Sequence, residues 1–107
     1  MHSIKITPLS VNRCWQGRRF KSPLYKNYEQ ELFYLLPKIT IPKGKLKVTL
    51  VFGFSSKLND IDNGVKPFID ILQKKYSFND ILIYEMQINK VDVPRGSEYI
   101  KFKIEAL

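Results

Sequence analysis

The sequence is poor in the residues on which many sites are built. It has one histidine, His2, and one cysteine, Cys14. With so few, no internal disulfide, no Cys/His zinc site and no Ser-His-Asp triad can be assembled. Long hydrophobic runs are missing as well; the longest falls far short of the roughly 20 residues that span a bilayer. The opening segment MHSIKITPLS has no apolar signal core, and a cytoplasmic protein is expected. What remains is 107 residues, 44% hydrophobic and 13% aromatic. That composition belongs to one globular domain over residues 1–107 and not to a disordered tail.

Acids are scarce where bases are plentiful. Eighteen Lys and Arg against ten Asp and Glu leave a net charge of +8. Residues 1–59 carry eleven of the bases and only Glu29 and Glu31 as acids, whereas residues 60–107 carry seven bases and eight acids. The whole excess therefore lies in the first 59 residues. Within positions 10–26, Arg13, Arg18, Arg19, Lys21 and Lys26 stand without a single acid. A solvated face, a membrane surface and a polyanion are the three readings of such a segment. Gly and Ser punctuate this one and no helical amphipathicity runs through it, which argues against a membrane surface. Nucleic acid is the favoured partner: Arg13, Arg18, Arg19, Lys21 and Lys57 are candidate phosphate contacts. Trp15 and Phe20 either stack on bases or pack into the core.

Periodicity gives the elements. Ser3–Thr7 alternates as a short strand and ends at Pro8. Residues 9–21 read as an irregular loop. Ser22-Pro23 starts a helix, which carries Tyr25, Tyr28, Leu32, Leu35 and Leu36 at helical spacing until Pro37 closes it. Leu46 to Phe54 is the clearest strand, with Leu46, Val48, Leu50, Phe52 and Phe54 on one face. Val65, Phe68, Ile69 and Leu72 form the apolar stripe of a second helix, for which Asp62 or Asn63 is the expected cap. A third strand covers Ile81–Ile88, with Asp80 at its start. Val91–Val93 and Tyr99–Ile104, joined by a Pro-Arg-Gly-Ser turn, are expected to form a terminal hairpin. The order β-α-β-α-β-β predicts an α+β, two-layer domain: a mixed four-stranded sheet with the helices on one face.

Four of the five aspartates, Asp60, Asp62, Asp70 and Asp80, fall between positions 60 and 80. In extended chain, Asp60 and Asp62 point the same way. Lys66 and Asp70 continue one polar helix face, and Asp80 joins them if its strand lies beside the second. Three carboxylates and a lysine then surround one spot. Hard oxygen ligands of this kind suit Mg²⁺ or Mn²⁺ and phosphodiester chemistry. An EF-hand register fails, because placing Gly64 at loop position 6 puts Ile61 at position 3. Helix capping plus solvated surface acids is the competing reading.

The segment Asp60-Ile-Asp62-Asn63-Gly-Val-Lys66-Pro-Phe-Ile-Asp70-Ile-Leu72, followed by Asn79-Asp80, resembles the D-x-D-N-x-x-K-x-x-x-D-x-L and D-D signature of RusA-type Holliday junction resolvases. Pro8-Leu9-Ser10-Val11-Asn12, then Trp15, is similar to that family's P-P-S-x-N opening. The resemblance implies a homodimeric, Mg²⁺-dependent endodeoxyribonuclease, bacterial or phage-encoded, that nicks four-way DNA junctions symmetrically. By the same resemblance Asp60, Asp62 and Asp80 are the catalytic and metal-binding aspartates, and Lys66 is the catalytic lysine. Asn12 joins the DNA contacts, and Asp70 takes a supporting place. Asn79 departs from the pattern, standing where many members have an aspartate. A non-catalytic nucleic-acid-binding module and a nuclease acting on non-junction DNA or RNA are the alternatives.

Overall fold

The computed structural model describes residues 1–17 and 20–107, so Arg18 and Arg19 lie outside the described residues. A four-stranded mixed sheet carries two helices on one face. In chain order come β1 (His2–Ile4), the two-residue strands β2 (Trp15–Gln16) and β3 (Phe20–Lys21), α1 (Pro23–Leu35), β4 (Leu46–Phe54), α2 (Val65–Tyr76), β5 (Ile83–Asp92) and β6 (Tyr99–Ala106). The large sheet has the order β1-β6-β4-β5, and β2 and β3 pair separately as a small antiparallel ribbon. The predicted α+β architecture is therefore the observed one. The stretch read as an irregular loop contains that ribbon and a single 3₁₀ turn, Val11–Arg13.

β4 lies at the centre of the core. Leu46, Val48, Leu50 and Phe52 are fully buried, alternating with half-buried Lys47, Thr49 and Val51 on the outer face. From the helices, Tyr28, Leu32, Phe68, Ile71 and Leu72 pack against this inner row, and Ile100 and Phe102 join them from β6. Phe68 meets Phe52 and Phe102 edge-on, with ring centroids 6.3 and 5.6 Å apart, an arrangement that aligns ring edges with π faces. Ile71 and Pro67 are buried in addition to the predicted stripe, because α2 packs against α1 as well as the sheet. Across that second seam the Tyr76 hydroxyl donates to the Pro37 carbonyl at 2.6 Å, and Lys75 donates to the Phe33 carbonyl at 2.8 Å.

The expected terminal hairpin does not form. β5 pairs parallel to β4 on one side, and β6 pairs antiparallel to β4 on the other. Residues 93–98 therefore cross the end of β4, where the Val93 amide donates to the Phe54 carbonyl at 2.9 Å. A six-residue connection is long enough for either arrangement, and β4 has two edges to satisfy. β5 is also longer than expected, beginning at Ile83 and running to Asp92.

Ser22 begins α1 as its sequence requires. Its hydroxyl oxygen accepts from the Tyr25 amide at 3.1 Å and donates to the Arg13 carbonyl at 2.6 Å. One side chain thus caps a helix and ties down the basic loop. Ser22→Ala is expected to lower stability by about 1 kcal/mol, measured by urea denaturation.

Candidate active-site cleft and basic loop

Between β4 and α2 the chain turns tightly. The Asn63 amide donates to the Asp60 carbonyl and the Val65 amide to the Asp62 carbonyl, each at 3.1 Å. Residues 61–64 are turns and not extended chain, so the period-two argument that aims Asp60 and Asp62 together does not apply. Nor does either Asp62 or Asn63 cap the helix: Gly64 holds the N-cap position, and no side chain bonds there. A Cβ on Gly64 would sit 3.1 Å from the Phe52 ring, so glycine lets the start of α2 approach the core closely. Pro67 lies in the first turn, where its missing N–H leaves few bonds unmade, and the Phe68–Gly64 bond beside it is long, at 3.4 Å.

Downstream of α2, Asp80 stands in a 3₁₀ turn, Asp80–Leu82, ahead of β5 and not within it. Asn79 caps this turn by accepting from the Ile81 amide at 3.1 Å. The Asp80 amide donates to Gln73 Oε1 at 2.8 Å, which fixes the turn against the helix. Gln73 was not a sequence candidate; its place seven residues beyond Lys66 on the same helix face was the available signal.

α2 and β5 enclose an open cleft of about 480 Å³, lined by Asp62, Lys66 and Asp80 over a floor that includes Val65, Ile69 and Met86. Lys66 pairs with Asp70 at 3.1 Å, and Asp70 Oδ1 also accepts weakly from Gln73 at 3.5 Å. The polar face of α2 is thus a chain from Lys66 through Asp70 and Gln73 to Asp80. Asp60 is exposed and does not line the cleft. From Val65 to Gln73 is eight residues, about 12 Å of helix, so Asp62 and Asp80 are anchored toward opposite ends of it. The expectation of three carboxylates around one spot is corrected accordingly: no group of three His, Cys, Asp or Glu able to hold a metal occurs among the described residues. The donors present are hard oxygens beside a lysine. They fit Mg²⁺ bound through one or two carboxylates with water and substrate phosphate, and do not fit a closed three-carboxylate cage.

The basic loop is docked on the same turn. The Val11 amide donates to the Asn63 carbonyl at 2.8 Å, and Ser10 caps the 3₁₀ turn by accepting from Asn12 at 3.3 Å. Asn12, Arg13 and Lys57 are exposed. Cys14 anchors the loop from inside: it is buried, and its carbonyl accepts from the Ser22 amide at 2.8 Å. Burial, with Asp70 adding to it, pushes the thiol up to about 11, so it stays protonated and unreactive at neutral pH. Phe20 is 74% exposed and Trp15 49%, the latter edge-on to Tyr25 at 5.9 Å. Neither ring packs into the core.

Lys21 is engaged within the protein. It bonds Glu29 at 3.0 Å, and Lys74 of α2 bonds the same carboxylate at 2.8 Å. Lys90, another residue outside the sequence candidates, donates to the Asn59 carbonyl at 2.7 Å and braces the turn that leads to Asp60. Compared with protein-family models and with curated proteins, the chain matches none.

Two expectations follow from this geometry. Gly64→Ala should destabilise the fold by about 1 kcal/mol, because Phe52 is held by neighbouring rings and cannot yield freely; thermal unfolding measures it. Burial raises the pKa of Glu29, but the hydrogen bonds from Lys74 and Lys21 outweigh it and hold the carboxyl below its usual range. A group depressed on folding contributes fully above its unfolded pKa, roughly 4.3 for Glu, and loses that contribution as pH falls through the folded value. Glu29→Gln should therefore lower stability at neutral pH and flatten its decline below about pH 4.3, read from denaturation midpoints across pH.

Proposed function

We propose that the chain is a RusA-type, Mg²⁺-dependent endodeoxyribonuclease that resolves four-way DNA junctions as a homodimer. The observation that carries this reading is the Val11–Asn63 hydrogen bond, 2.8 Å long, which docks an acid-free basic loop on the turn that bears the aspartates. Phosphate binding and phosphate cleavage need those two charge types side by side. The two-fold symmetry of a junction and its two nicks match a C2 dimer with two identical sites.

In this reading Asn12, Arg13, Arg18, Arg19, Lys21 and Lys57 hold the DNA backbone, with Lys21 exchanging Glu29 for phosphate. Lys66, exposed at the cleft, neutralises charge that builds on the phosphoryl oxygens; Asp70 positions it through their ion pair. Asp62 or Asp80, each with water and substrate phosphate and not both on one ion, would hold Mg²⁺ or Mn²⁺, and Asp60 stands exposed at the edge of the turn. Such an ion supplies an activated water and stabilises the departing oxygen. Gln73 and Asn79 hold the Asp80 backbone in place.

A non-catalytic nucleic-acid-binding module is the second reading, favoured by the absence of a three-acid cluster among the described residues. One experiment separates the two. A labelled four-way junction and a matched linear duplex are each incubated with Mg²⁺ or EDTA, using the native protein and Asp62→Asn. Symmetric, Mg²⁺-dependent junction nicking should fall by about 100-fold or more in Asp62→Asn while junction binding persists. Binding with no metal-dependent cleavage by the native protein would establish the binding module instead, and equal cutting of the linear duplex would remove junction selectivity. Arg13→Ala should reduce the slope of log K against log salt by about one unit; an unchanged slope would take Arg13 off the list of phosphate contacts.

A further inference from the structure

The large sheet ends differently at its two edges. β1 is three residues long and Pro8 follows close behind it, a short edge that offers little to another strand. β5 is ten residues long, has neither proline nor glycine, and is the outermost strand on its side. Alternate residues of such a strand turn their N–H and C=O groups toward β4, and the others turn theirs away from the sheet. Among the described residues, no strand pairs with that outer side and no loop backbone bonds it. The devices that blunt an edge are missing or turned elsewhere. The strand's one lysine, Lys90, reaches the Asn59 carbonyl at 2.7 Å. Its one irregularity lies at the start, opposite Leu46 and Lys47, and leaves Glu85–Asp92 in unbroken register with β4.

A row of open backbone groups takes one kind of partner, an extended strand. The residue order of β5 fits a second copy of itself. Two copies related by a two-fold axis perpendicular to the sheet run antiparallel, and every residue keeps its face. Paired residues then share parity in number. With the axis at Ile88, Ile88 meets its own copy, Met86 meets Lys90, Gln87 meets Asn89 and Glu85 meets Val91. No like charges stand opposite one another, as strand pairing requires. Ile88 and Met86 lie on the inner face, level with Leu50 and Val48 of β4, and are half-buried within one copy. On the outer face the central pairs are the exposed, uncharged Gln87 and Asn89. Other centres fit less well. An axis at Gln87 runs the pairing into the irregular start of the strand, and one at Asn89 sets Met86 against Asp92.

We propose that the free edge of β5 is a self-association surface, an antiparallel β5–β5 pairing centred on Ile88 that joins two copies into one eight-stranded sheet. The choice of a second copy as occupant rests on the homodimeric nuclease reading, and the pairing gives that dimer its surface and register. Because the axis is perpendicular to the sheet, both helix layers lie on one face. The two clefts, each walled by α2 and β5, therefore open on the same side, as two nicks in one junction require. Met86 lines the cleft, so Lys90 of the partner subunit stands at its border.

The test uses the full chain without DNA or metal. Sedimentation velocity should show a monomer–dimer equilibrium, and amides within residues 85–91 should exchange hydrogen more slowly at high protein concentration than at low. Two double variants at the exposed positions 87 and 89, which leave the core untouched, then read the register. Gln87→Lys with Asn89→Lys sets lysine against lysine twice and should weaken dimerisation about tenfold. Gln87→Lys with Asn89→Glu sets lysine against glutamate twice and should tighten it about threefold. With the axis at Gln87 or at Asn89, that second variant would instead bring like charges together and weaken the dimer. A chain that stays monomeric, β5 amides that exchange equally at both concentrations, or a second variant that dimerises no more tightly than the native chain would each overturn the proposal. A β5-paired dimer that nicks no junction would remove the resolvase reading alone. Junction nicking by a dimer formed through another surface would remove this one alone.

Discussion

The parallel pairing of β4 with β5 is the constraint on which the rest depends. Two parallel neighbours cannot be joined by a tight turn; the chain must travel back along the sheet before the second strand begins. Here α2 makes that return. Its apolar side is committed to Phe52, Phe102 and the seam with α1, which leaves Lys66 at the open flank beside β5. Of the catalytic candidates outside the helix, Asp62 and Asp80 flank this return path, one ahead of α2 and one behind it. The cleft is a by-product of how parallel strands are connected.

A second set of contacts joins the basic segment to this frame at both ends. Val11 is bonded to the aspartate-bearing turn, and Ser22 to the start of α1. Cys14 fills the interior beneath, and Lys21 and Lys74 share one carboxylate across two elements. A segment of high positive charge would otherwise repel itself and stay loose. Held this way, it presents Asn12 and Arg13 outward at a fixed place relative to the cleft.

Much of this was legible in the sequence, wherever one short-range signal decided the outcome. Alternation gave β4 its bounds, and Ser22-Pro23 and Pro37 bracketed α1. The α2 stripe was right, yet its start was not. Asp62 and Asn63 are good capping residues by type, but the cap falls on Gly64, whose close approach to Phe52 is a tertiary contact that no local pattern encodes. The terminal hairpin failed for a similar reason: residues 93–98 suit a hairpin loop as well as a crossing, and the choice lay with the second edge of β4. Of the candidate residues, Asp62, Lys66 and Asp80 line one cleft and Asp60 does not. The spread of the site along the helix was not legible, because the turn at 61–64 breaks the extended geometry on which the convergence argument relied.

The position of β6 has a consequence for synthesis. This strand lies between β1 and β4, with Phe102 opposite His2 on one side and Leu50 on the other. Until residues 99–106 have left the ribosome, β1 has no neighbour and one edge of the most apolar strand stays bare. The contacts that complete the sheet join residues 2–4 to residues 100–102, a long separation of the kind that closes slowly. The lysines of the outer face, Lys47, Lys101 and Lys103 among them, then keep unfinished copies apart by like charge while that pairing forms.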